Sequence, residues 1–330
     1  VGTPPLDYSV YRNDFPLVTN IKTIPVFARA DATSAGQYRI EVRNPHGTAE
    51  HTVTVTVSRA SRLSNLSVRA KAGYGENRLI LGHVLQGGSR KETLLRAIGP
   101  TLAANYGVSN ALQNPRMLLR DADGVLLLNK SQNESFGDVF QRIKIQQLGA
   151  FESQFATEPT LFKVNQVGRT GIHLLEVSPD AGDPGITLAE IYDADAFSTR
   201  LINLSARAPA GQNAEAIMAG FVIAGDKPLP VLIRAIGPTL GDYGVDHPVA
   251  DPLLELIDPA TGSVLLQNDD WTPSVALAET TARLGAFPLR PDSRDALILA
   301  TLQPGIYIAQ LSNRAPGSAI GLIEIYDASE

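Results

Sequence analysis

An internal repeat is the feature that most constrains the fold. Five blocks of sequence recur in the same order. They are RLSNLSVRA at Arg62–Ala70 and RLINLSARA at Arg200–Ala208, LLRAIGPTL at Leu94–Leu102 and LIRAIGPTL at Leu232–Leu240, Asn114-Pro115 and Asp251-Pro252, LGAF at Leu148 and Leu284, and EIYDA at Glu190 and Glu324. The offset drifts only from 138 to 134 residues. We therefore predict that residues 62–196 and 200–330 are two copies of one domain, joined by the short linker Ala196–Thr199 and preceded by a separate segment, residues 1–58.

The pattern inside each copy predicts β-strands. The apolar runs are short, rich in β-branched residues and bounded by Gly, Pro and Asp. Such runs, joined by turn sequences such as Asp258–Gly262, are typical of antiparallel sandwiches and jelly rolls. We also predict one short helix per copy, at about Phe136–Leu148 and at Val275–Leu284, the second opened by Thr272-Pro273.

The first 58 residues show a hairpin pattern. The alternating runs Arg39–Arg43 and Thr48–Val57 flank the turn sequence Asn44–Gly47, and alternation of this kind predicts two half-buried antiparallel strands. The segment resembles the later part of a bacterial immunoglobulin-like domain. The residues that carry the resemblance are Asp31, Ala35, Gly36 and Tyr38 in a tyrosine-corner pattern, then Asn44 and Gly47, and upstream Gly2–Leu6, Tyr8, Tyr11, Arg12 and Asn13.

The resemblance implies a partial immunoglobulin-like sandwich. It departs at Val10, where the core Trp usually stands, and at Ile40, where antibody domains have a Cys. The strands that would precede strand C are missing from the matched part. We therefore expect either that the chain is a piece of a longer protein, which we favour, or that another chain supplies strands to residues 1–58.

The two copies also resemble a known module. The blocks NLSxRA, GFVIxG, LIRAIGPTL, DPxLxL and GxxLxEIYD are similar to a repeat found in large secreted proteins of environmental bacteria, where it often follows immunoglobulin-like domains. The resemblance covers nearly all of residues 62–330. It implies a secreted or cell-surface protein without assigning an activity.

Composition excludes several classes of function. The chain has 330 residues, a net charge of −6 and no Cys, which excludes disulfides, thiolate zinc sites and cysteine nucleophiles. The isoelectric point near 5.5 argues against a nucleic-acid partner. No apolar run is long enough for a membrane helix, and the motifs of common catalytic and phosphate-binding sites are absent. We predict that the protein is not an enzyme and needs no cofactor.

Two arginines are the most informative charges. Arg96 and Arg234 each stand in an apolar strand, and a buried guanidinium needs an acidic partner. Glu190 and Glu324, in the final strand of each copy, are the natural partners, and Asp193 and Asp327 are alternatives. We predict structural ion pairs; the competing interpretation is a ligand site for a carboxylate or a sugar.

The loop Asn268-Asp269-Asp270-Trp271 is a second candidate. Its oxygens could bind calcium, or its Trp could stack on a sugar, but the first copy has Asn129-Lys130-Ser131-Gln132 instead. We expect the acids to serve the turn and the helix start that follows. The five histidines form no metal-binding spacing, and His83 corresponds to Phe221 in the second copy.

Two functions remain open from the sequence. The first is a non-enzymatic extracellular structural or adhesive protein, with other copies of the chain as partners in a surface filament. The alternative is a carbohydrate-binding ancillary module of a larger secreted hydrolase, with surface glycans as partners. The low aromatic content of 6% leaves few residues for a sugar-stacking surface and favours the first.

Overall fold

The computed structural model describes residues 4–23, 34–58, 60–88, 90–165, 171–195 and 199–329. The chain divides into two compact units, residues 1–60 with 225–227 and residues 61–224 with 228–330. The predicted linker residues 196–198, and Gly2, Thr3 and Asp31 of the immunoglobulin-like pattern, lie outside the described residues. The ladders between strands are antiparallel in both units, so the predicted all-β class is confirmed.

The described part of the first unit is one four-stranded sheet. Its strands are β1 (Asp7–Arg12), β2 (Phe15–Ile21), β3 (Gly36–Asn44) and β4 (Gly47–Val55), in the order β2-β1-β3-β4. This is the order of strands C′, C, F and G in an immunoglobulin sheet. The Tyr38 hydroxyl donates to the Ser34 carbonyl at 2.9 Å, which is the hydrogen bond of a tyrosine corner.

Alternation along these strands produces one apolar and one charged face. Val10 lies directly opposite Ile40 across the ladder, and Tyr8 lies opposite Val42. Arg39 and Glu41 point to the other face, because successive side chains alternate. Val10 is buried, whereas Ile40 and Val42 are half-buried. The two positions where this sequence departs from antibody domains therefore pair with each other on the apolar face.

The second unit holds both repeat copies. The elements of the first copy are β5 (Arg62–Ala72), β6 (Leu79–Gln86), β7 (Lys91–Ile98), α1 (Pro100–Tyr106), β8 (Pro115–Asp121), β9 (Leu126–Lys130), α2 (Val139–Gln147), β10 (Thr160–Asn165), β11 (Gly171–Pro179) and β12 (Gly185–Asp193). Those of the second are β13 (Arg200–Ala210), β14 (Ile217–Ala224), β15 (Leu229–Ile236), β16 (Pro252–Ile257), β17 (Val264–Asn268), α3 (Val275–Arg283), β18 (Ala296–Leu302), β19 (Gly305–Asn313) and β20 (Ala319–Asp327).

The two copies have the same strand order. In the first copy the sheets read β5-β12-β7-β10 and β6-β11-β8-β9. In the second they read β13-β20-β15-β18 and β14-β19-β16-β17. Inward-facing side chains of the two sheets form the main core, which contains residues of both copies, among them Leu81 and Ile233.

The first strand of each copy also pairs with the other copy. Strand β5 joins β14, with Ser67 opposite Gly220, and β13 joins β6, with Ser205 opposite Gly82. Both ladders carry a bulge at the same repeat position, near Ser64 and Ile202. The copies are therefore related by an approximate twofold axis and share one sixteen-stranded sheet system, so their hydrogen-bonded ladders cross the boundary that the sequence predicts between them.

The helices differ in detail from the prediction. Both predicted helices are present, but α3 begins after Ser274, whose side chain accepts from the Leu277 N–H at 3.2 Å, rather than at Thr272-Pro273. Each copy has further helical segments, which the prediction of one helix per copy missed. A 3₁₀ turn follows the first strand, at Gly75–Asn77 and at Asn213–Glu215. The second helical segment, as we call it here, is α1 in the first copy and a 3₁₀ helix at Pro238–Tyr243 in the second, each beginning at the Pro of AIGPTL.

Among the described residues, no helix is long and apolar enough to cross a membrane.

Candidate functional site

Arg96 forms the centre of a buried polar cluster in the first copy. It lies opposite Glu190 across the β7–β12 ladder and is fully buried, with Nε 2.8 Å from Glu190 Oε2. The other carboxylate oxygen of Glu190 accepts from the hydroxyls of Ser67 and Tyr192, each at 2.8 Å. The Phe151 carbonyl accepts a further guanidinium N–H. The described contacts thus engage both carboxylate oxygens.

The second copy has the equivalent ion pair, but neither Arg234 Nε nor Glu324 Oε2 has a hydrogen-bond partner among the described residues. Arg234 Nε lies 3.0 Å from Glu324 Oε2, Tyr326 donates to Glu324 Oε1 at 3.1 Å, and the Phe287 carbonyl accepts from Arg234 at 2.7 Å. Burial raises the pKa of Glu324, while Arg234 and the Tyr326 hydroxyl act in the opposite direction. Because both guanidinium groups are fully buried, neither is accessible to a ligand as the chain is folded here.

Two further buried carboxylates were missed by the sequence analysis. Glu158 accepts from the backbone N–H groups of Gly99 and Thr101, at 2.9 and 2.8 Å. Asp295 makes the equivalent bonds with Gly237 and Thr239. Both carboxylates are fully buried and hold the turn that opens the second helical segment. The available signal was an acid just before a strand in each copy, 137 residues apart.

The loop at Asn268–Trp271 is tied into the fold. Asn268 Oδ1 accepts from the Leu297 N–H at 2.9 Å, and Asp269 pairs with Arg314. The indole N–H of Trp271 donates to the Arg290 carbonyl at 3.1 Å, and its ring packs beside a hydrophobic cluster. In the described part of the chain, no three His, Asp or Glu residues are placed to hold a metal ion. Calcium binding by this loop, the alternative to the predicted role of its acids in the turn and the helix start, gains no support from these contacts.

The copies differ at one end of the sandwich, where the first copy carries a row of inward-facing polar residues. His83 and His173 lie opposite each other across the β6–β11 ladder and stack with ring centroids 5.0 Å apart. Neither ring nitrogen of His83 has a hydrogen-bond partner among the described residues. Burial, and to a smaller extent His173, lowers the pKa of His83 to about 3, so its ring is neutral near pH 7.

The facing sheet continues this polar end. Lys91 is fully buried and lies 2.8 Å from the carboxylates of both Asp193 and Asp195. The side-chain amide of Asn165 donates to the Thr93 hydroxyl at 3.1 Å, while its Oδ1 is buried without a partner. We call the five residues His83, Lys91, Thr93, Asn165 and His173 the polar layer.

The second copy fills the equivalent positions with apolar side chains. The strand registers define the equivalents: Phe221 lies opposite Tyr307, Leu229 opposite Leu302, and Val231 takes the position of Thr93. Phe221 and Tyr307 stack with centroids 5.6 Å apart, as the two histidines do. Phe221, Leu229, Val231 and Leu302 are buried in the main core, and Tyr307 packs against it. The fold therefore does not itself require polar residues at these places.

A cavity of about 580 Å³ opens beside the polar layer. Its described lining includes His173 and Asn165 of that layer, with Lys163 on β10, Asp121 at the end of β8 and Asp123 in the turn that follows. Burial lowers the pKa of His173, the Asp121 carboxylate acts against that shift, and Lys163 adds to it. This cavity is the candidate functional site. The sequence alone pointed to none of its described lining residues; in the neighbouring polar layer it singled out His83, as a position that the copies do not share.

Comparisons with known proteins do not add a family. No family model matches the chain, and no curated protein matches it. The chain is similar to the solved structure of Sidekick-1 immunoglobulin domains 1–4, with 11% identity and a TM-score of 0.18, over 97% of this chain and 65% of that one. It is also similar to the major capsid protein P2 from Bacteriophage PM2, with 13% identity and a TM-score of 0.22, over 81% of this chain and 97% of that one. TM-scores this low carry no argument.

Proposed function

We propose that this is a non-enzymatic structural or adhesive protein, secreted or at the cell surface, whose chains join into a filament. The observation that carries the proposal is a pair of open strand edges. Strands β9 and β10 end the shared sheet system in the first copy, and β17 and β18 end it in the second; the edges that carry the proposal are those of β9 and β17. Each edge bears three consecutive exposed apolar residues, Val125–Leu127 and Val264–Leu266.

Open apolar edges are templates for pairing between chains. An edge strand presents unpaired N–H and C=O groups, and proteins usually protect it with charge, Pro or a covering loop. Here the two edges are equivalent by the approximate twofold relation of the copies. Pairing at one edge leaves the other open, so chain-to-chain pairing at both would extend as a polymer. The occupant that we propose for each edge is a second copy of this chain.

Electron microscopy and light scattering at rising protein concentration test this proposal. We expect the wild type to form linear assemblies and the double variant Leu126→Lys, Leu265→Lys to stay monomeric, because an edge lysine opposes pairing. The control is Val275→Lys, which places the same charge on a helix residue that is 76% exposed. A wild type that stays monomeric at every concentration, or a double variant that assembles normally, contradicts the proposal.

A second contact between chains concerns residues 1–58. Strand β4 pairs only with β3 among the described residues, and its side chains are mostly exposed. We extend the proposal to a strand that another chain adds to this sheet. Deletion of residues 1–58 should then weaken assembly, and assembly unchanged by this deletion rules the contact out.

The cavity beside the polar layer favours a second function, which is carbohydrate binding as an ancillary module of a larger secreted hydrolase. This function does not depend on assembly. A glycan array with the intact chain distinguishes the two, because the filament proposal requires no glycan.

A further inference from the structure

We propose that the cavity beside the polar layer of the first copy binds a hydroxyl-rich ligand of the size of one or two sugar rings. The proposal rests on the second function above and gives it a site, a set of residues and a ligand class. Cavities of this size, about 580 Å³, lie within the usual range of small-molecule sites.

The described lining offers mainly hydrogen-bond acceptors. Asn165 is 4% exposed, and its Oδ1 has no hydrogen-bond partner. The Nδ1 of His173 lies 3.0 Å from the Gly171 carbonyl. Since a carbonyl only accepts, Nδ1 carries the proton and Nε2 is left as an acceptor. Asp121 adds a carboxylate, one oxygen of which accepts from the Asp123 and Val125 N–H groups at 3.0 and 2.9 Å.

This set of groups selects the class of ligand. The acceptors Asp121, Asp123 and Asn165 call for a ligand that donates hydrogen bonds. Among the described lining residues, two carboxylates stand against the one ammonium of Lys163, and this balance disfavours an anion. A metal ion is not supported, because the described residues hold no cluster of three potential ligands. Leu127, Val164 and Ile172 in the lining provide apolar surface for the C–H face of a ring. Sugar hydroxyls meet all of these conditions.

The difference between the copies shows that these polar groups are not needed for folding. A buried polar group without a partner destabilises a fold, and the second copy avoids that cost with Phe221 and Leu302 at the positions of His83 and Asn165. The same fold is thus built in one chain with and without the polar layer. A ligand bound in the cavity would give the unpartnered Asn165 oxygen a hydrogen-bond donor.

Isothermal titration calorimetry with the intact chain tests the proposal. The probes are glucose, galactose, mannose, N-acetylglucosamine, maltose, cellobiose and lactose, with putrescine as a cationic donor. We expect at least one sugar to bind and putrescine not to bind. Asn165→Leu installs the residue of the second copy and should weaken sugar binding about tenfold, the effect of one hydrogen bond at the upper end of its usual range. Asp121→Asn should weaken it similarly.

The matched control is Asp258→Asn. Asp258 follows β16 as Asp121 ends β8, and its carboxylate likewise accepts from a backbone N–H two residues later, but it lies outside the described lining of the cavity. Thermal melting checks that each variant folds. Sugar binding that is equal in Asn165→Leu, Asp121→Asn and the control places the sugar elsewhere and overturns this site while the carbohydrate function stands. A wild type that binds none of the sugars, or that binds putrescine instead, overturns both.

Discussion

At the scale of single residues, His83 and His173 show that one pair of positions in the fold can carry either two histidines or a phenylalanine and a tyrosine. The stacked histidines of the first copy and the stacked Phe221–Tyr307 pair of the second lie in the same register of the same fold. The histidine pair carries two imidazoles, and burial penalises their charged form.

This difference predicts a loss of stability in acid. The pKa of His83 is about 3 in the folded chain and about 6.5 in an unfolded one, so the unfolded chain binds more protons between these values. Stability therefore falls as the pH is lowered from about 7 toward 3, by a few kcal/mol at most. The double variant His83→Phe, His173→Tyr should lack this part of the loss. Chemical unfolding at pH 7, 5 and 4 measures it.

Other titrating groups are shared by wild type and variant. Glu324 has a raised pKa, so its protonation stabilises the folded chain as the pH falls. This effect is the same in both proteins and therefore cancels when their stabilities are compared. Asp121 and Lys163 act on the pKa of His173 in opposite senses. A difference in stability that does not change between pH 7 and pH 4 would show that the buried pair does not control acid stability.

At the scale of elements, the RAIGPTL block (Arg96–Leu102 and Arg234–Leu240) combines several structural requirements in one turn. Its Arg is the buried ion-pair partner of the final strand, its Pro begins a helical segment, and its Thr contacts a buried carboxylate. Its Gly allows backbone to approach backbone: a Cβ on Gly99 would lie 1.8 Å from the Leu112 carbonyl oxygen, and one on Gly237 would lie 2.1 Å from that of Val249. These contacts explain why the block is nearly identical in the two copies.

The ion pair between β15 and β20 leads to a stability prediction. Arg234→Met leaves Glu324 buried without its cation and should lower the free energy of unfolding by about 3–5 kcal/mol. Adding Glu324→Gln removes the unpaired charge and keeps an acceptor for Tyr326, so it should restore part of the loss. Urea unfolding measures both variants.

An exposed ion pair serves as the control. Arg294 lies 3.1 Å from Asp251, but its side chain is 64% exposed, and such pairs contribute less than about 1 kcal/mol. Arg294→Met should therefore be nearly neutral. If Arg234→Met costs no more than this control, the buried pair does not stabilise the second copy.

At the scale of the whole molecule, the pairing of each first strand with a strand of the other copy makes the two copies interdependent. Strand β6 lies between β11 and β13, and β14 lies between β19 and β5. Each copy alone would expose the edge and the apolar side chains that its partner now covers, among them Leu63 and Leu204, both fully buried.

Expression of the halves tests this dependence. Residues 61–195 and 199–330, produced separately, should be insoluble or should pair with themselves, because open apolar edges favour association. Produced together, they should form a one-to-one complex. Size-exclusion chromatography with light scattering distinguishes these states. A soluble monomeric half that unfolds cooperatively would contradict the dependence.

The sequence by itself determined everything that local pattern and repetition encode. Period-two alternation and turn residues predicted the strands, and the collinear blocks predicted two copies with one strand order. The composition of one strand was enough to predict a buried Arg96 and to propose Glu190 as its partner, because an arginine in an apolar strand requires a charge nearby. These inferences need only the chemistry of each segment and its neighbours along the chain.

Tertiary structure decided what depends on which segments meet. Strand β5 pairs with β12 on one edge and with β14 on the other. The sequence of β5 does not predict this, because a strand has two edges and its residues do not specify which strand pairs with each edge. The candidate site could not be predicted for the same reason. His83, Asn165 and His173 lie on three different strands, and none of these strands carries a recognisable motif. Only the packing of two sheets brings them to one end of one copy, where the other copy has Phe221, Leu302 and Tyr307 at the equivalent positions.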